Sequence, residues 1–260
     1  MDFSNIIYEK KEGLAKITLN RPDVLNALDP KTLEEIGEAL EDIENDISVR
    51  VVVITANGRA FCTGADLTGV ASIPPDKPRD YFLRLWNKVF SAIENVSVPV
   101  IAAVNGMAYA GGLELVMVCD LAIASEEAKL SDQHANRGLI PGGGASQRLP
   151  RLIGIRKAKE LLYTGDRISP AEAERLGLIN KVVPADKLEE ATNEMVTKLL
   201  AKSPMALKAV KKLVNRGMES SLDAGLEMEM LAMTGHGTTE DFEEGVKSFL
   251  EGRPPVFPGR

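Results

Sequence analysis

Between Pro99 and Asp120 the chain reads PVIAAVNGMAYAGGLELVMVCD, and from Leu113 to Val118, after the pair Gly111-Gly112, it carries one charged side chain, Glu114. Glycines that lead into a helix let ligand atoms approach the backbone, and the unpaired N–H groups of the first helical turn present a positive end. A carboxylate one turn inside such a helix, among Leu113, Leu115 and Val116, is costly to bury unless it has a partner or a task. Fixed donors beside a desolvated carboxylate suit acid–base work on an acyl compound. The competing reading is a glycine-tolerant core helix whose Glu114 points to solvent.

Further groups could take part. The chain has two histidines, His134 and His236. An imidazole at position 134 can give or take a proton near neutral pH, or it can orient a loop by bonding Asp132. Two residues apart in an extended segment, Asp132 and His134 would face the same side. Ser131, Asp132 and His134 are too close in sequence to form a hydrolytic triad, and no nucleophile elbow accompanies them. Cys62 has no neighbouring cation to lower its pKa and reads as packing. Tyr109 suits an acyl pocket or a core position equally, and His236, between two glycines, reads as surface or interface. No His/Cys/Asp cluster has metal-ligand spacing, so no metal is expected. The run Pro141-Gly142-Gly143-Gly144 is not followed by Gly-Lys-Ser/Thr and makes a weak phosphate loop.

These residues need elements to hold them. Ile6–Lys10 and Leu14–Asn20 alternate as a hairpin around Glu12-Gly13, and Arg21-Pro22 ends it. Asp29-Pro30 opens a helix carrying Leu33, Ile36, Leu40 and Ile43 at helical period. Val49–Thr55 and Val100–Val104 read as buried strands, each followed by an Asn-Gly turn and then by small residues: Cys62-Thr63-Gly64-Ala65-Asp66 in one case, Ala110-Gly111-Gly112 in the other. Residues 69–80, with Pro74, Pro75 and Pro78, form a loop, and Tyr81–Asn95 is a helix with Phe82, Leu85, Val89 and Ile93 on one face. Short strands follow at 121–124 and 178–183, helix starts at 145 and Ser169-Pro170, and the remainder is helical with a break at Ser203-Pro204. Repeated strand–helix units argue for an α/β core at 1–190, with a helical lobe at 191–260.

With 260 residues, 44% hydrophobic and 27% charged, the chain has an ordinary globular composition and can bury a large core. A net charge of −7 without a basic stripe argues against nucleic acid. The most membrane-like segment, 99–124, is broken by Asn105, Glu114 and Asp120, so no membrane partner is expected. Two cysteines in apolar surroundings make no disulfide framework, and the start of the chain lacks the pattern of a signal peptide; a cytoplasmic setting follows.

The ordered set NRPDVLNAL (20–28), FCTGADL (61–67), VNGMAYAGGLELVMVCD (104–120) and GLIPGGGASQRLPRLIG (138–154) resembles the crotonase superfamily of enoyl-CoA hydratases and isomerases, and LLYTGDRISPAEAERLGLINKVV (161–183) and EDFEEGVKSFLEGRPPVF (240–257) extend the resemblance over nearly the whole chain. The resemblance implies an α/β spiral of repeated ββα units with a C-terminal helical lobe used in assembly as a homotrimer or homohexamer. It implies an acyl-CoA substrate, with coenzyme A as part of the substrate and no separate cofactor. By motif position the oxyanion-hole amides fall on Thr63 and Gly111, and the coenzyme A contacts on Val24, Leu25, Gly64, Ala65, Asp66 and Leu67. Glu114 matches the first of two glutamates that hydratases of this family use, whereas the second position holds His134, with Asp132 two residues before it. Basic residues near the tail that could meet the ligand's phosphates are Lys247 and Arg253. The reaction implied is hydration of a 2-enoyl-CoA or its reverse; double-bond isomerisation or thioester hydrolysis on the same scaffold, and an acyl-CoA-binding protein without turnover, are the alternatives.

Overall fold

The computed structural model of the chain describes residues 2–68, 74, 76, 77 and 80–260, so the loop expected at 69–80 lies largely outside the described residues. Strands β1 (Ile6–Lys11) and β2 (Leu14–Leu19) form the expected hairpin in full register, Ile6 opposite Leu19 and Lys11 opposite Leu14. Its two turn residues, Glu12 and Gly13, have φ of 51° and 84°, the doubly left-handed turn that matches strand twist. Helix α1 (Pro30–Asn45) starts where Asp29 accepts the Thr32 N–H at 2.7 Å, and Leu33, Ile36, Leu40 and Ile43 are all buried. It carries the chain over to β3 (Val51–Ala56), which lies parallel to β2.

From β3 onward the chain winds in strand–strand–helix turns. The first comprises β3, β4 (Ala60–Cys62) and α2 (Tyr81–Asn95). The second comprises β5 (Val100–Val104), β6 (Met107–Tyr109) and α3 (Gly111–Val118). Strands β7 (Leu121–Ser125) and β8 (Lys129–Ser131) begin a third. The leading strand of each turn joins one sheet, in the order β1-β2-β3-β5-β7-β9, closed by β9 (Lys181–Val183). The second strand joins a small sheet, β4-β6-β8, and every pairing except β1 with β2 is parallel. Each turn is therefore displaced by one strand from the last, which is the expected ββα spiral.

This geometry assembles the candidate residues. Cys62 pairs with Ala108 and Tyr109 with Ser131, so the chain leaves β4, β6 and β8 side by side, and the next residues out are Thr63, Ala110-Gly111 and Asp132. The three-residue strands are too short to show a period in sequence.

Seven helices follow among the described residues: α4 (Ala145–Ile153), α5 (Ile155–Thr164), α6 (Pro170–Arg175), α7 (Leu188–Leu200), α8 (Pro204–Gly217), α9 (Leu222–His236) and α10 (Glu240–Glu251). Ser169, Ser203, Ser221 and Thr239 cap α6, α8, α9 and α10 by accepting an N–H three residues on. Residue 190 lies within α7, and Leu188, Ala191 and Val196 of that helix bury against Val51, Ile101 and Ile123 on one face of the large sheet. The larger core lies on the opposite face, between the sheet and α1, α2 and α3. Helices α8 and α9 contain no buried residue. Among the described residues no helix is long and apolar enough to cross a membrane.

Candidate active site

Helix α3 is buried along its whole length. Its entry is a strained point: Ala110 has φ 48° and ψ −117°, a region that favours glycine, while its N–H is held by the Ser131 carbonyl at 2.9 Å. The two glycines after it are required by close approach. A Cβ at Gly112 would overlap the Cys62 carbonyl, and one at Gly111 would overlap the indole of Trp86. The start of α3 therefore lies directly against the end of β4. Among the described residues the Thr63 N–H has no protein acceptor, and the Gly111 N–H belongs to a first helical turn, whose donors have no intrahelical partner. A Cβ at Gly64 would come 3.0 Å from the Gly111 nitrogen, so the two stretches meet backbone to backbone.

Glu114 points inward and is 2% exposed, so the solvent-facing reading does not hold. Its Oε1 accepts the Gly143 and Ala145 N–H groups at 2.8 and 2.9 Å. These belong to the glycine run 142–144 and the first residue of α4. The run is an anion cradle for a protein carboxylate, a role the sequence reading did not give it. Oε2 has no protein donor among the described residues. Burial pushes the Glu114 carboxyl above the usual carboxylate range; the Ala145 N–H, the charge of His134 and the Gly143 N–H oppose this, and Asp132 adds to it.

Asp132 and His134 do come together, though not by strand alternation. Gln133 between them takes φ 58°, and His134 starts a helical turn at 135–137. His134 Nδ1 lies 3.0 Å from Asp132 Oδ1, off the line of a hydrogen bond, and both Asp132 oxygens are buried without a donor among the described residues. Burial alone would lower the His134 pKa, but the Asp132 carboxylate beside it and the charge of Glu114 hold it above its ordinary value.

The segment 24–28 and the segment 63–67 are strapped together. Leu28 N–H donates to Gly64 O and Asp66 N–H to Leu28 O, at 2.8 and 2.9 Å, with Leu28 bridged to Ala65. Thr63 Oγ1 donates to Leu25 O at 3.3 Å. The Asp66 carboxylate is bound by Arg21 at 2.9 Å. Val24 and Leu67 are exposed. Asn26, 1% exposed, fixes the bend by donating to the Asn57 and Ala60 carbonyls and accepting from Arg21 N.

Other candidate groups take packing or loop-holding positions. The Cys62 thiol is pushed up to about 12 by burial and is no nucleophile. Ser131 Oγ donates to Gly165 O, a loop contact. Tyr109 stacks under Arg167, its hydroxyl buried and unpaired. His236 packs edge-on against Phe242 near the end of α9. Arg253 is held by Glu244 and Glu251 of its own chain. The residue that sequence reading missed is Trp86. Its ring fills the space beside Gly111 and Gly143 at the carboxylate end of Glu114, and its buried Nε1–H has no partner. As the single tryptophan, on a helix read only for its apolar face, it gave no signal of its own.

Residues 9–260 match the family model described as enoyl-CoA hydratase/isomerase. The chain is 39% identical over 254 residues to a short-chain-enoyl-CoA hydratase of Clostridium acetobutylicum, covering 97% of both chains. It is 41% identical over 258 residues to a crotonyl-CoA hydratase of Syntrophomonas wolfei, covering 99% of both. The crystal structure of an enoyl-CoA hydratase from Bacillus anthracis superposes with a TM-score of 0.94 at 39% identity, over 99% of this chain and 100% of that one. Matches of this extent, on a ββα spiral with a buried glutamate beside paired backbone donors, make this chain a member of the enoyl-CoA hydratase/isomerase family.

Proposed function

We propose that this enzyme hydrates a short-chain 2-enoyl-CoA, or dehydrates the corresponding 3-hydroxyacyl-CoA, with Glu114 as the base. The observation that carries the reading is the state of that carboxylate: one oxygen pinned by two backbone N–H groups, the other without a protein donor among the described residues, at the point where α3 meets β4. The thioester oxygen is bound by the Thr63 and Gly111 N–H groups, donors fixed before the reaction that need no reorganisation as the enolate forms. Glu114 takes a proton from water as the oxygen bonds C3. The electron pair of the C2–C3 double bond moves into the enolate, and C2 then takes a proton from the His134 imidazolium. Transfer of the proton from Glu114 back to His134 resets the site. Asp132 keeps the imidazole protonated.

The 24–28/63–67 strap supplies backbone for the coenzyme A moiety, which enters and leaves as part of the substrate. Cys62, buried, and Cys119, half-buried, are both free thiols, which supports a reduced, cytoplasmic setting. Val210 and Val214 on α8, Met218 just after it, and Leu222, Leu226 and Met230 on α9 are exposed, an apolar surface suited to a homotrimer. Light scattering that finds a monomer at micromolar concentration would overturn the assembly.

Loss of the conjugated thioester absorbance of crotonyl-CoA, absent in Glu114→Gln, is the test of the reaction. Full turnover by Glu114→Gln, or none by the folded wild type on any enoyl-CoA, refutes it. A histidine in the second acid–base position favours isomerisation as the second reading. A 3-enoyl-CoA incubated in D2O separates the two, since an isomerase returns the 2-enoyl product and no hydroxyacyl-CoA.

A further inference from the structure

The loop that cradles Glu114 does not hold itself. Gly142 and Gly143 have no Cβ to restrict their torsions, so the direction of the Gly143 N–H depends on what grips the adjoining peptides. Two grips reach it, both anchored on α2. Asn87 Nδ2 donates to the Gly142 carbonyl at 3.0 Å, the other end of the planar peptide whose N–H binds Glu114. Arg148 Nη1 donates to the Gly143 carbonyl, also at 3.0 Å, and so fixes the next peptide. The guanidinium is itself immobilised as a two-pronged fork on Glu94, Nε to Oε1 at 2.9 Å and Nη2 to Oε2 at 2.6 Å. A Cβ at Gly144, which has φ 108°, would overlap Arg148 Nη1, so the loop is closed down on the cation.

We propose that Arg148, clamped by Glu94, is a positioning residue of the active site: it fixes the Gly143 carbonyl so that the 143 and 145 N–H groups stay aimed at Glu114 Oε1. The proposal rests on the reading of Glu114 as the base. It assigns to α2 a purpose beyond core packing. The helix that presents Trp86 to the site also holds, through Asn87 and Glu94, the loop that sets the carboxylate's orientation.

The charged and titratable groups that act on Glu114 are His134 and Asp132 from the segment after β8, Cys62 from β4 and Arg148 from α4, with Glu94 on α2 facing Arg148. Releasing the loop weakens two hydrogen bonds that favour the carboxylate, so Glu114 ionises at higher pH. The experiment is the pH profile of kcat/KM for crotonyl-CoA in Arg148→Lys, Glu94→Gln and the double variant. Arg148→Lys retains the charge and loses the fork.

The acid limb is expected to move up by about one pH unit in each single variant, with kcat reduced ~10-fold and KM nearly unchanged. The double variant is expected to shift no further than Arg148→Lys alone, because the two residues act through one contact. A wild-type limb in Arg148→Lys and Glu94→Gln, with folding intact by circular dichroism, overturns the proposal, since charge alone would then suffice. Should Arg148→Lys fail to fold, the near-isosteric Glu94→Gln decides by the same limb. Full activity of Glu114→Gln instead removes the underlying reading of the base, a result distinct from an unmoved limb.

Discussion

His134 Nδ1 stands 3.0 Å from Asp132 Oδ1, and the left-handed turn at Gln133 is what brings the two side chains to the same point. The carboxylate is buried without a donor of its own, so its effect falls on the imidazole. His134 accordingly stays protonated to higher pH than a free histidine. Activity that needs the imidazolium is therefore present below the His134 pKa and lost as pH rises through it. Asp132→Asn removes the charge that favours the protonated ring, and the alkaline limb of kcat should move to lower pH. His134→Ala should lower kcat about 10²–10⁴-fold and leave thioester affinity almost unchanged, because the carbonyl donors are backbone groups. A rate near wild type in both variants would leave ordered water to complete the proton transfer.

Trp86 limits the room beside the reacting atoms. Its indole occupies the positions that side chains at Gly111 and Gly143 would need. It is held in place by Phe82 and Phe90 at centroid distances of 5.4 and 4.9 Å. Trp86→Ala should open the acyl end of the site and raise the ratio of kcat/KM for an eight-carbon over a four-carbon enoyl-CoA by ~10-fold or more. Trp86→Phe should fall between. An unchanged ratio in Trp86→Ala would place the acyl chain elsewhere.

Much of the candidate site is legible in the sequence. Glu114 could be singled out because one carboxylate in an otherwise apolar helix is a physical anomaly, and the family motifs placed Thr63 and Gly111 by register. Three things were not legible. The strands β4, β6 and β8 are three residues each, so the small sheet that aligns Thr63, Ala110 and Asp132 left no periodic trace. The αL residue Gln133 carries no glycine to announce it. The run 141–144 looked like a weak phosphate loop because its acceptor, Glu114, lies 29 residues earlier in the chain. For the small sheet and the glycine run the missing information is tertiary, since only the spiral shows what these residues face.

Gly112 provides a stability test that is independent of chemistry. A methyl group there would overlap the Cys62 carbonyl, a backbone atom that no rotamer change can move aside. Gly112→Ala should therefore cost about 1–3 kcal/mol in urea unfolding, as overpacking does in a closed core. It should also reduce kcat, since the displaced strand end carries Thr63. Gly112 itself has no positive φ and lies inside α3, where alanine is the better helix former, so a loss there reports the contact and not the backbone. A Gly112→Ala chain as stable as the wild type would show that the α3–β4 contact yields without cost.

Lys211 ties the outlying helices to the spiral. Its Nζ, on α8, reaches Asp120 Oδ2 at 2.7 Å and the Val98 carbonyl at 3.0 Å, and the same Asp120 oxygen accepts the Val100 N–H at 2.7 Å. The Lys211 side chain is only 8% exposed. Burial raises the Asp120 pKa, and Lys211 works against that rise. Lys211→Met thus leaves a carboxylate that is expensive to keep charged, at about 3 kcal/mol. The sign of the pH dependence follows from the raised folded-state pKa. The folded state then binds more protons than the unfolded one, so the deficit should shrink as pH falls from neutral through the folded Asp120 pKa. Lys211→Met/Asp120→Asn should recover part of the loss at pH 7, with a coupling of about 1 kcal/mol or more in the double-mutant cycle. A deficit independent of pH, together with additive single losses, would show that Lys211 contributes only the packing of its alkyl chain.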